Sequence, residues 1–431
     1  MGLARKVFKN TFFSGSAIYL ASNIVSAAVP FALLPILTRY LEPLEYGEIA
    51  IFLTILTALP AFVGLNAAGA ANRKHFDTDF PESEKPYYIA ASFQILLVST
   101  AAVAILMFAF GGYISEWIGL RKSWLMGAVV VSASLVAINI RLGQWQVRKQ
   151  ATRFGAFQIS QSSLNVAISL LLVIALHQGA GGRITALFLV TGLFALLAVT
   201  LLFRDNLLRP LSYRPEYVRE ALRFGVPLIP HSLGGFLLIA VDRIIVAKML
   251  GIDSTGIYMV AVQLSGAMAI IFDAINKAYV PWLYKTLGEN DETEKRRIVS
   301  YTFVGYAVIL LAAAVTFLIG PTLVSVVAGP KYEAAGYVFG WLVLGQCFGG
   351  MYLTVTSYIF YARRTGMLSL VTIASGALHV VFVVFFLSTF GLVGAGVAFS
   401  VSTGMRFLLT WWVAQRSHPM PWFHLASGRT R

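Results

Sequence analysis

The sequence predicts an all-α membrane protein of about twelve transmembrane helices, and three observations carry that expectation. Apolar residues fill 58% of the 431 positions and charged residues only 12%, about half the charged share of an ordinary soluble domain. The apolar residues arrive in runs near the roughly 20 needed to span a hydrocarbon core about 30 Å thick. Those runs are apolar on every side, which disfavours the alternating pattern of a membrane barrel and leaves helices to satisfy the backbone within each segment.

Taken in order, the first half holds spans at 12–37, 47–69, 87–110, 124–142, 156–176 and 184–203. The first carries Arg5, Lys6 and Lys9 ahead of it and no clear small-residue cleavage site, so it reads as an uncleaved helix. The second half holds spans at 226–250, 256–280, 301–328, 336–361, 367–387 and 391–413, the ninth bent or broken near Gly320 and Pro321. The chain therefore divides into an N-terminal six-helix bundle (1–203), a basic cytoplasmic linker (204–225), a C-terminal six-helix bundle (226–413) and a cytoplasmic tail (414–431).

The formal charge of +14 raises the question of an acidic partner, and placement answers it. With the N-terminus inside, cytoplasmic segments and adjoining span ends hold 25 of the 33 Lys and Arg and outside segments hold six, while Arg243 and Arg406 fall within spans. That bias is the positive-inside rule; it puts both termini in the cytoplasm and needs no nucleic acid. Cys347, the single cysteine, excludes an intrachain disulfide and lies in an apolar stretch as a core residue.

A weak parallel repeat supports the division. Arg39-Tyr40-Leu41 and Gly47 recur as Lys248-Met249-Leu250 and Gly256, and Arg153-Phe154-Gly155 before span five is echoed by Arg364-Thr365-Gly366 before span eleven. Paired halves of this kind rock about a central cavity in many transporters.

The turn Leu41-Glu42-Pro43-Leu44-Glu45-Tyr46-Gly47 resembles one in bacterial polysaccharide flippases of the Wzx type. A more specific resemblance lies in Arg223-Phe224-Gly225-Val226-Pro227-Leu228-Ile229-Pro230-His231, then Asp242-Arg243, Leu250-Gly251 and Gly256-Ile257-Tyr258, which look like that family's seventh and eighth helices. A third lies in Tyr361-Ala362-Arg363-Arg364-Thr365 and the Gly391–Gly396 turn. The resemblance implies a superfamily that also includes multidrug exporters and the lipid II flippase. It implies two pseudo-repeated six-helix bundles around a central cavity, and export of undecaprenyl-diphosphate-linked oligosaccharide across the bacterial inner membrane for O-antigen, exopolysaccharide or capsule. The partners implied are the lipid-linked substrate, membrane lipids, and a polysaccharide polymerase with its chain-length machinery.

Residues able to serve transport are the charges deep in the spans, since an ion at mid-bilayer costs about 2.5 to 3.5 kcal/mol on insertion scales. Asp242 and Asp273 are the ion-coupling candidates. Arg406, Arg243, Lys277, Arg39 and Asn23 are the substrate-cavity candidates, because a guanidinium fork suits phosphate oxygens. Bland roles compete at each: Asp273 and Lys277 stand in the favoured i,i+4 order for an intrahelical pair, and the side chains of Asp242 and Arg243, about 100° apart on a helix, can each bridge to a neighbouring helix as a structural tie. Arg406 can snorkel to the interface, and His379, near the middle of span eleven, can be a packing residue.

Polar stripes run along span one (Ser16, Tyr19, Asn23, Ser26) and span five (Gln158, Gln161, Ser162, Asn165, Ser169), facing a helix or a wet cavity. Pro30 and Pro35 make span one a gate candidate, and Pro227 and Pro230 place a hinge at span seven. The rival readings are a cation-coupled multidrug exporter of the same superfamily, disfavoured by the excess of deep positive charge, and a membrane polymerase or glycosyltransferase. The predicted outside loops are short, with no zinc-ligand spacing, nucleophile elbow or P-loop in the sequence, so the expectation is a transporter, not an enzyme, with no metal and no cofactor.

Overall fold

The computed structural model describes residues 2–422 apart from Pro210, Asn290, Arg363 and Thr365, with side chains described from Ile18 onward. Its secondary structure is helical, with no strand among the described residues, and twelve stretches are long and apolar enough to cross a bilayer. Two compact units are present, Met1–Leu233 and Gly234–Arg431.

The first unit is built from α1 (Gly2–Tyr40), α2 (Pro43–Val63), α3 (Ala67–Lys74), α4 (Lys85–Ile118), α5 (Lys122–Val147), α6 (Ala151–Leu170), α7 (Gly179–Arg204) and α8 (Pro215–Gly225), with α9 (Ile229–Ile239) crossing its boundary. Helix α5 packs against α2, α4 and α7, and α1 lies along α6. Large side chains such as Leu97 (69% exposed), Val98 (71%) and Phe108 (71%) stand outward on α4. Such faces suit acyl chains and would be a liability in water.

The second unit continues through α10 (Val241–Leu250), α11 (Ile252–Gly288), α12 (Glu292–Ala328), α13 (Ala335–Tyr361), α14 (Gly366–Phe390) and α15 (Leu392–Ser417). Here α13 is the enclosed element, flanked by α11, α12 and α15. Small residues set close contacts within this unit: a Cβ on Gly376 of α14 would meet the Gly234 carbonyl of α9 at 2.6 Å, the close backbone approach that small residues permit between membrane helices. Cys347 is buried in α13, its Sγ donating to the Ile309 carbonyl at 3.4 Å.

The Leu41–Gly47 motif has a local cause. Pro43 opens α2 in the first turn, where it forfeits no hydrogen bond. Glu42 and Glu45 form a reciprocal capping box, with the Glu42 N–H donating to Glu45 Oε2 at 3.0 Å. Gly179, at φ +56°, lies so close to the Glu45 carboxylate that a side chain there would collide.

Local expectations change in several places. Span two ends at Val63, not 69: Leu65 and Asn66 adopt left-handed φ values of 46° and 56°, and the chain restarts as the short α3. The second half of the linker is helical as α8 and runs through a 3-10 turn at Val226–Leu228 into α9, and the apolar crossing counted from it is Pro215–Ile239. Span seven is interrupted at Ala240. Span nine is unbroken: α12 passes through Pro321, which lies flat against Gly336, where a Cβ would strike the Pro321 backbone. Span five ends in a π-helical turn, Leu171–Ala175.

Candidate functional site

In the second unit a buried ionic cluster sits on the helix interruption. The break at Ala240 diverts the Arg243 N–H from its helical acceptor, Ile239 O; it bonds instead to Asp242 Oδ1 at 2.9 Å and, more weakly, to the Ala240 carbonyl at 3.4 Å. The Arg243 guanidinium then donates to the orphaned Ile239 carbonyl and, at 2.9 Å, to Asp242 Oδ1. Asp242 Oδ2 accepts from the Tyr258 hydroxyl at 2.5 Å. Asp242 is 1% exposed. The two side chains thus bond to each other and repair the break, and Asp242 also ties α10 to the neighbouring α11 through Tyr258. Backbone polar groups freed inside a membrane helix need such partners.

His379 is fully buried, its Nδ1 2.9 Å from Ser402 Oγ. Ser402 gives its own proton to the Ala398 carbonyl at 2.7 Å, so His379 donates from Nδ1 and leaves Nε2 as an acceptor without a donor among the described residues.

Arg406 of α15 is different. Its guanidinium lies 4.1 Å from the ring centre of Tyr352 on α13. Among the described residues it forms no ion pair, and its Nε has no hydrogen-bond partner. Cation–π contact favours the charge while leaving guanidinium N–H groups free for an anion.

Lys277 and Asp273 pair at 2.5 Å along α11, both more than half exposed, the intrahelical bridge their spacing allowed. Nearby, a cavity of about 320 Å³ opens among Phe272, Asn276, Tyr279, Trp282, Tyr306 and Gly350. Aromatic rings, aliphatic side chains and neutral polar groups line it, with no charged side chain among the described residues.

In the first unit the stripes of spans one and five face each other. Asn23 Oδ1 accepts from Gln158 Nε2 at 3.2 Å, Ser26 and Ser162 lie 3.1 Å apart, and Tyr19 donates to the Trp145 carbonyl at 3.3 Å. The side chain of Ser16 lies outside the described residues. Pro30 and Pro35 are carried within a continuous α1; Pro227 lies in the 3-10 turn and Pro230 in the first turn of α9. Arg39 is exposed at the end of α1.

Two cations acquire contacts that the sequence did not suggest. Arg183, read as loop, is buried and donates to Asn165 Oδ1 at 2.5 Å and Ser169 Oγ at 2.6 Å, so it caps the span-five stripe. Its signal was that stripe itself, whose amide and hydroxyl oxygens can accept from a cation at its outer end. Arg141 is 1% exposed, stacks 4.1 Å from the Trp145 ring centre and bonds to Asp205 beyond α7, which also lies 3.7 Å from Arg153.

Twelve membrane-length helices among the described residues, with ionisable groups held inside them, define a multi-pass membrane protein. The chain belongs to the polysaccharide biosynthesis protein family, whose pattern matches residues 12–287. It is 24% identical over 379 residues to Lsg locus putative protein 1 of Haemophilus influenzae, covering 87% of this chain and 90% of that one. It is 19% identical over 395 residues to the probable low-salt glycan biosynthesis flippase Agl15 of Haloferax volcanii, covering 90% and 80%. Among solved structures, an inward-facing multidrug resistance MATE family transporter of the MOP superfamily superposes with a TM-score of 0.64 at 18% identity, covering 90% of this chain and 94% of that one. That likeness concerns the fold.

Proposed function

We propose that this protein flips a polyprenyl-diphosphate-linked oligosaccharide across the bacterial cytoplasmic membrane for surface polysaccharide assembly. Family membership over residues 12–287 carries the reading, and the flippase among its relatives supports it. Both termini face the cytoplasm, as the distribution of Lys and Arg indicates. The lipid tail stays in the bilayer while diphosphate and sugar cross by alternating access, and the protein acts by transport, not by catalysis.

Arg406 is the residue we assign to the anion, because its charge lies in the membrane without a carboxylate among the described residues. Asp242 is assigned to ion coupling through a change in the Tyr258–Asp242–Arg243 bonds. The partners of the process are a polymerase and its chain-length machinery, working on the repeat unit after it has crossed.

Deletion followed by complementation tests the assignment. Loss of surface polysaccharide and build-up of cytoplasm-facing lipid-linked repeat units are expected, with recovery on re-expression. Normal polysaccharide without build-up would defeat it. Dye efflux on overexpression, with polysaccharide unaffected, would favour the multidrug reading instead.

A further inference from the structure

A charged cleft lies in the first unit. Its volume is about 420 Å³, and Arg73, Lys74, Arg223, Asp77 and Glu220 supply its charges. The cleft is built, not a chance gathering of surface side chains. Asn66 Nδ2 bonds to the Gly225 carbonyl at 3.2 Å, and a Cβ on Gly225 would strike the Leu65 carbonyl, so the end of α8 is locked onto the turn before α3. Tyr217 holds the start of α8 through Glu84 Oε2 at 2.8 Å.

The charges divide into two sets. Lys74 is taken: it lies 2.8 Å from Glu220 and 3.2 Å from Asp77. Burial alone would lower its pKa, but the bonds and charges of Glu220 and Asp77 hold it above the usual lysine value, so it stays a cation. Arg73 and Arg223 are exposed and form no ion pair among the described residues. Arg73 rests 5.5 Å from the ring centre of Phe224. The two carboxylates are held on Lys74, and with three cations against two anions the lining keeps a net positive charge; the two forked guanidiniums offer phosphate oxygens paired contacts.

The remaining walls decide between a soluble and a membrane-borne phosphate. Tyr88, Phe224, Pro227 and Leu228 line the same cleft, and Pro227 and Leu228 are exposed. An apolar shelf beside two arginines suits an anion carried on an acyl or prenyl chain. The segments bearing both arginines, 70–86 and 204–225, fall on the cytoplasmic side of the proposed topology.

We infer that the Arg73–Arg223 cleft receives the diphosphate headgroup of a lipid in the cytoplasmic leaflet, as a docking station distinct from the Arg406 region. The inference rests on the flippase reading and its orientation. Docking there places the anion at interface depth, where arginine needs no desolvation beyond that of a headgroup.

The test is binding to the purified full-length protein in nanodiscs, with undecaprenyl diphosphate, inorganic pyrophosphate and phosphatidylglycerol as separate probes. The double substitution Arg73→Gln/Arg223→Gln is expected to weaken undecaprenyl diphosphate binding about tenfold or more, each charge-assisted contact being worth roughly a tenfold factor. Arg219→Gln removes the same charge from α8 outside the lining and is expected to leave binding unchanged. Equal binding by the double variant overturns the inference while leaving transport by the wild type intact. Pyrophosphate binding as tight as the lipid's overturns the lipid assignment, and equal binding of phosphatidylglycerol overturns the diphosphate assignment. Wild-type protein that binds no undecaprenyl diphosphate would instead sink the flippase reading itself.

Discussion

Arg183 in the first unit and Arg406 in the second are both guanidiniums within membrane helices, yet their surroundings differ. Arg183 donates to Asn165 and Ser169 at 2.5 and 2.6 Å, so it is held by neutral groups of one neighbouring helix. Arg406 leans on the Tyr352 ring, and its Nε lacks a partner among the described residues. The difference teaches that depth alone does not mark a functional ion. Arg183 is tied to its neighbours by direct hydrogen bonds, whereas Arg406 meets a ring face and has no ion pair or hydrogen bond among the described residues, which is why the proposed anion contact falls to it.

Asp242 is the extreme of the satisfied kind and sets the upper end of the comparison. Asp242→Ala leaves Arg243 without its carboxylate and is expected to destabilise the second unit by about 3 to 5 kcal/mol, read as a large drop in the melting temperature of the purified protein. A melting temperature within a degree or two of wild type would show that the cluster is not structural. Next comes Arg183→Met, which strands Asn165 and Ser169; the expected loss is about 1 to 3 kcal/mol, with transport per folded molecule retained.

Arg406→Gln is expected to do the reverse, leaving the melting temperature nearly unchanged while flipping of lipid-linked oligosaccharide falls roughly tenfold, the worth of one lost charge-assisted contact. If Arg183→Met and Arg406→Gln lower stability and transport in the same proportion, the distinction between them collapses. The smallest effect belongs to Lys277→Gln: an exposed i,i+4 bridge contributes about 0.3 to 0.5 kcal/mol, so melting should barely move. A fall in transport at normal expression would move Lys277 into the anion path.

Much of the fold was legible because membrane length and apolarity are one-dimensional properties: Leu97, Val98 and Phe108 announce a lipid face without any knowledge of their neighbours. The interruption at Ala240 was not legible, since Ile239-Ala240-Val241 carries no glycine or proline and the break is held by side chains that follow it. Arg183 was hidden for another reason. Gly179, Gly181 and Gly182 read as loop, whereas α7 begins at Gly179 and brings Arg183 onto Asn165 and Ser169, just ahead of the π turn that ends span five. The partners of Asp242 were half legible: Arg243 adjoins it, while Tyr258 reaches it from the next helix.

The buried thiol of Cys347 has a practical consequence for all of this. It is the chain's single cysteine and is enclosed in α13, so a thiol introduced at an exposed site such as Arg73 or Lys277 becomes the accessible handle in an otherwise natural sequence. Spectroscopic labels or crosslinkers placed there would follow movement of each unit during a transport cycle without first stripping the native cysteine.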